Sequence, residues 1–141
     1  MSNIVLKPEH RRAIAKRGEV AYPQACRGLL LGRQEGLTTE VKELVFVDEM
    51  PEPEDSNHPY YIPPQEMQNA EQLAQAKGFA VVGSFHSHVD QPAKPSIYDR
   101  EFVRPGFSYV IVGIRQGRAH ELAAWTLSED GTAFFQEDIR S

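Results

Sequence analysis

Apolar and polar positions along this chain follow two periods. From Lys7 to Ala21, Ile14 and Val20 stand among basic and acidic residues, with Pro8 placed for a first helical turn. This predicts an amphipathic helix ending near Tyr22-Pro23. Cys26 to Gly32 is apolar and punctuated by glycine, and Thr38 to Val47 alternates Val41, Leu44 and Val45 with charge. Both read as strands of a hairpin, joined by the polar turn Arg33-Gln34-Glu35-Gly36. Asp48 to Pro64 is too rich in proline and acid for a central strand or a continuous helix and reads as a long loop. Pro64 to Lys77 places Met67, Ala70, Leu73 and Ala74 at helical spacing, with Gly78 where a C-terminal cap belongs. Phe79 to Phe85 and Phe107 to Ile114 are apolar runs of strand length. Two further strand-like pieces follow, His120 to Leu127 and Thr132 to Gln136.

Helices therefore interleave with strands without a repeating βαβ period, and no internal repeat stands out. The expected fold class is α/β (α+β), one mixed or mostly antiparallel sheet flanked by helices, in a single domain spanning residues 1–141. The formal charge of −5 with scattered basic residues gives no electrostatic footprint for nucleic acid. The N-terminus has no apolar leader segment and no later run approaches membrane-spanning length, so a cytoplasmic protein with no membrane partner is expected. Cys26 is the only cysteine, which excludes an internal disulfide framework, a Cys-rich zinc finger and the Pro-Cys-x-x-Cys signature of nucleobase deaminases. Any zinc must rest on histidine and carboxylate.

Such a set is present. His86, Ser87 and His88 follow the Phe79–Phe85 strand, and side chains two apart on a strand share a face, so both imidazoles can converge on one ion while Ser87 points away. A third ligand has to come from downstream. Asp90 precedes the Pro92/Pro95 turn and swings outward, whereas Asp99 lies one helical turn after Ser96 and shares its face, so Asp99 is the better candidate. Two histidines and a carboxylate leave zinc a fourth position for water, the arrangement of a catalytic site rather than a closed structural one. Ser96-Ile97-Tyr98-Asp99 also fits a helix capping box, and His-x-His alone is commonplace, but capping does not require spatial convergence and metal chemistry does.

The string His86-Ser87-His88, seven residues, Ser96, two residues, Asp99, including the Pro95-Ser96 step, resembles the defining motif of the JAMM (MPN+) metalloproteases. AYPQACRGLLLG, PYYIPPQEM, VVGSFHSH and FSYVIVGI are similar to the stand-alone bacterial branch, so the resemblance covers nearly the whole chain. It implies a JAMM/MPN-like fold, a cytidine-deaminase-like mixed sheet flanked by helices. It further implies Zn2+ on His86, His88 and Asp99, and hydrolysis of peptide or isopeptide bonds after the C-terminal glycine of a ubiquitin-like or sulfur-carrier protein ending in Gly-Gly. E1- or E2-like conjugation enzymes are further partners where the pathway is one of conjugation. Sulfur-carrier metabolism and ubiquitin-like conjugation, antiviral systems included, both stay open. In this family the motif serine, here Ser96, stabilises the oxyanion that forms at the scissile carbonyl. Phe85, Tyr60 and Tyr61 are candidate substrate contacts, though for the two tyrosines pinning their loop to the core is the favoured reading, since aromatic residues more often pack than recognise.

Two departures stand out. Val89 follows the second histidine where the family usually has proline, which alters a turn. The family's general-base glutamate falls two residues after the proline of the Tyr-Pro stretch, and here that position is Ala25. Glu19, Glu35 and Glu40 do not occupy the matching register. Losing a general base typically costs about a hundredfold to ten-thousandfold in rate, so this chain is expected to be nearly inactive. Either alanine was placed there by design to trap a substrate complex, or the chain is a natural module that binds a ubiquitin-like partner without cutting. The otherwise complete ligand set favours the first.

Overall fold

A computed structural model describes residues 2–47, 62–95 and 106–141. Among them run β1 (Asn3–Val5), α1 (Pro8–Ala21), β2 (Arg27–Glu35), β3 (Thr38–Phe46), α2 (Pro64–Ala76), β4 (Ala80–Val89), β5 (Ser108–Arg115), β6 (Arg118–Leu127) and β7 (Phe134–Arg140). The strands form one mixed sheet in the order β1-β3-β2-β4-β5-β6-β7, closed into a barrel because β1 pairs in parallel with both β3 and β7. The β2–β3, β2–β4, β5–β6 and β6–β7 pairs are antiparallel, and β4–β5 is parallel.

Both helices start as the sequence predicts. Pro8 and Pro64 open them, where a missing N–H costs nothing, and Gly78 follows α2 at φ +76°, a conformation that glycine adopts without strain. The hairpin turn is displaced from its expected place. Arg33, Gln34 and Glu35 are polar yet belong to β2, paired with Glu40, Thr39 and Thr38, and the chain reverses at Gly36 (φ +59°) and Leu37. Polarity there marks an exposed strand end, and the positive φ that a two-residue turn demands picks out Gly36. The closing strand β1 is not predicted by the pattern, since three residues are too few to show a period. β7 also runs to Arg140 rather than ending at Gln136, because its last residues pair with β1.

Two apolar clusters sit on opposite faces of the sheet. One joins Ile14 of α1 to Ile4, Leu6, Leu30, Val41, Phe85, Val110, Val112 and Ile114; the other packs Ala70 and Ala74 of α2 on Leu29 and Leu31. Adjacent leucines of β2 thus serve different clusters, as the two-residue period of a strand requires. Phe85, named as a candidate substrate contact, packs in the first of these clusters. Its side chain is 1% exposed, meets Phe46 edge-on at a ring-centroid distance of 5.3 Å, and lies over Gly28. Phe85 precedes His86 and so faces the other way, into the core. A Cβ at position 28 would stand 2.2 Å from the Phe85 ring, so only glycine leaves the ring its place.

Candidate metal centre

β4 does not end at Phe85 but continues through His86, Ser87, His88 and Val89, held by β2 on one side and β5 on the other. Ser87 is fully buried and its Oγ accepts the Cys26 N–H at 2.8 Å, while its own N–H donates to the Cys26 carbonyl at 3.1 Å. These bonds carry the β2–β4 pairing one step past Arg27 and His86. Burial pushes the Cys26 thiol up from its ordinary value against the opposing pull of Ser87, as suits an inert apolar residue.

The two imidazoles meet on the other face. His86 and His88 are 5% and 1% exposed, and their Nε2 atoms lie 3.1 Å apart. His88 Nδ1 lies 2.7 Å from the Pro92 carbonyl oxygen. A carbonyl only accepts, so Nδ1 carries the hydrogen and Nε2 is left with its lone pair, the form a metal ligand needs. Ligand nitrogens about 2.0–2.1 Å from a tetrahedral zinc stand about 3.3 Å from each other, close to the separation here. Imidazole is also a ligand type that zinc accepts readily. The pair therefore fits zinc, and the spacing of the histidines along one strand is what made it visible in the sequence.

Asp99 and Ser96 lie outside the described residues, as do Tyr60 and Tyr61. Among the described residues no three His, Cys, Asp or Glu side chains gather around one point. Asp90, the weaker candidate for third ligand, is engaged elsewhere. Its backbone takes a positive φ of 55°, Oδ2 accepts the Tyr22 hydroxyl and Oδ1 accepts the Gln116 N–H, each at 2.9 Å. That acceptor bond holds the Tyr22 phenol above its usual value. Tyr22 and Asp90 line an open cleft of about 680 Å³ with Arg115, Gln116, Arg118 and His120.

Ala25 lies one residue before Cys26, outside β2 and two residues from the Arg27–His86 pair, at the histidine end of the strand. The other carboxylates weighed in its place are held elsewhere. Glu19 accepts the Ala119 N–H at 2.9 Å, and Glu35 and Glu40 stand at the far end of β2 and β3. The Pro92 carbonyl is a site group that sequence reasoning missed, since a backbone acceptor leaves no mark on residue type.

Comparisons with known proteins identify the family and the fold. The profile of the prokaryotic homologs of the JAB domain matches residues 7–128. A solution structure of a Salinibacter ruber protein is 35% identical at a TM-score of 0.74, covering 98% of this chain and 90% of the other. One from Desulfitobacterium hafniense is 25% identical at 0.76, covering 96% and 90%. A JAB1/MPN domain protein of Archaeoglobus fulgidus, 18% identical at 0.58 and covering 99% of both chains, shares the fold. No match is found among curated proteins. The profile match and the fold together define a JAB/MPN domain. This chain belongs to the family of prokaryotic JAB homologs.

Proposed function

We propose that this chain is a JAMM-type zinc metallopeptidase domain. Its competent form cleaves the peptide or isopeptide bond after the C-terminal glycine of a ubiquitin-like or sulfur-carrier protein. With Ala25 in place it binds such a partner and hardly cuts. The observation that carries the reading is the buried histidine pair, Nε2 facing Nε2 at 3.1 Å with His88 already fixed as a ligand tautomer.

His86, His88 and Asp99 would hold the ion. Bound zinc supplies Lewis acidity toward a carbonyl and a water molecule. The chain's own residues do the rest. Pro92 keeps His88 in register, and Ser96 donates a hydrogen bond toward the negative charge that develops on the scissile carbonyl oxygen. Position 25 is where a carboxylate takes the proton from water and returns it to the leaving amine, and alanine can do neither. The partner's tail would lie extended against the sheet, where backbone pairing favours small terminal residues such as Gly-Gly.

A non-catalytic scaffold of the same fold is the second reading, favoured by Ala25 alone. Elemental analysis and cleavage together test both. The purified chain should carry close to one zinc, His86→Ala and Asp99→Ala should lose it, and zinc-loaded Ala25→Glu should cleave a fusion joined through Gly-Gly. Failure of the intact chain to take up zinc in excess overturns the proposal. A zinc-loaded Ala25→Glu protein that binds such a fusion and leaves it whole favours the scaffold.

A further inference from the structure

We infer that Glu121 and Trp125 of β6 are positioning residues for the histidine pair, acting through one peptide plane. The inference rests on the metal-centre reading above. His88 is oriented by the Pro92 carbonyl, which belongs to the irregular segment 90–95; within that segment the Lys94 N–H also donates to this oxygen, at 2.8 Å, but no strand or helix ladder fixes the peptide. The aim comes from β6. Ala93 is 3% exposed, its N–H donates to Glu121 Oε1 at 3.1 Å, and its carbonyl accepts the Trp125 indole N–H at 3.1 Å.

The Pro92 carbonyl and the Ala93 N–H belong to the same trans peptide and point in opposite directions. That plane is gripped at both ends, by Glu121 at the N–H and by His88 at the oxygen, while Trp125 secures the next carbonyl. A carboxylate accepting the N–H polarises the peptide and strengthens its oxygen as an acceptor, which in turn makes His88 Nε2 a better donor to an ion. The unit is a carboxylate–histidine pair relayed through an amide. Two neighbours keep Glu121 in place. Arg115 Nη2 donates to its other oxygen at 3.0 Å, and Gly113, paired with His88 across β4–β5, makes room for it. A Cβ at Gly113 would stand 2.4 Å from Glu121 Oε1.

The test needs no turnover. Nitrogen NMR of the zinc-free chain reads the tautomer of His88, and a chelator competition reads zinc affinity. Glu121→Ala is expected to shift His88 toward the Nε2–H form and to weaken zinc binding by about tenfold to a hundredfold. Glu121→Gln keeps an acceptor oxygen and should recover most of both. A merely structural role would lower the melting temperature of both variants without moving the tautomer. The inference is overturned if Glu121→Ala keeps the Nδ1–H form and the parent's zinc affinity. Should that variant not fold, Trp125→Phe, which removes one N–H and keeps the ring, is read in the same way, and an unchanged tautomer and affinity in it overturn the inference equally. If the parent chain itself takes up no zinc, the metal reading fails, while the tautomer shift still decides whether β6 aims His88.

Discussion

Restoring a carboxylate at position 25 is the perturbation that most directly separates metal binding from turnover. The β2–β4 register pairs Arg27 with His86, and the Cys26–Ser87 bonds carry it one step further; one more step, as the proposed role of position 25 requires, would set that position opposite His88. Opposed Cβ atoms in an antiparallel pair are about 4.5–5.5 Å apart. A glutamate side chain carries its oxygens about 3.5 Å beyond Cβ, three bonds of roughly 1.2–1.5 Å each. A carboxylate at 25 can therefore reach a water held beside the two Nε2 atoms, whereas the alanine methyl stops short and is no base.

General-base catalysis contributes about a hundredfold to ten-thousandfold, equivalent to about 2.7–5.4 kcal/mol of barrier. Because proton transfer belongs to the transition state, the gain should appear in kcat with KM little changed. Stopped assays on a Gly-Gly-linked fusion, run with equal zinc occupancy, measure it. The rate of Ala25→Glu should rise with pH through the glutamate's ionisation, a limb the parent lacks. Ala25→Gln, of the same shape without basicity, should remain at the parent's background. A zinc-loaded Ala25→Glu protein no faster than the parent, or an Ala25→Gln protein as fast as Ala25→Glu, refutes the assignment.

Other consequences can be measured without substrate. Gly28→Ala drives a methyl into the Phe85 ring and to 2.4 Å from the Val45 carbonyl, so it should cost about 1–3 kcal/mol in urea unfolding. Phe85→Leu should relieve only the ring's share, leaving a coupling of about 0.5–3 kcal/mol in the double-mutant cycle, and strict additivity would contradict the packing. Glu137 is buried, Oε1 has no hydrogen-bond partner among the described residues, and burial raises its carboxyl above the ordinary 4.5 against the opposing pull of Ser108 and Ser2. Its contribution to stability is thus fully present below that value and lost as pH rises through the folded one. Glu137→Gln should therefore gain about 1 kcal/mol over the parent at pH 7 and little at pH 4, read by thermal melts at both. Cys26, 5% exposed with its thiol raised by burial, should react with iodoacetamide at pH 8 only after unfolding in urea.

Among the described residues, local periodicity made both helices, every strand but β1 and the facing histidines legible. His86 and His88 need only the alternation of one strand to converge, and both helix starts carry their prolines in the sequence. What stayed hidden depends on contacts between distant segments. Barrel closure joins Asn3–Val5 to Asp138–Arg140, and no window along the chain contains both. Glu121 and Trp125 lie about thirty residues past Ala93, and their effect passes through backbone groups that any residue would carry. Asp99, Ser96, Tyr60 and Tyr61 fall outside the described residues, so their roles rest on the motif.

Two buried Nε2 atoms 3.1 Å apart must share either a proton or a cation, since two lone pairs at that distance repel. His88 commits its own hydrogen to Pro92 through Nδ1, so in the metal-free chain the shared proton has to come from His86 Nε2. On the proposed metal reading an ion at the point of convergence would take that proton's place. Ala25 removes the proton acceptor without touching either imidazole, the Pro92 carbonyl or the Ser87–Cys26 bonds that hold the strand end. On the proposed reading the chain would bind zinc and a glycine-terminated partner and still leave the reaction unfinished.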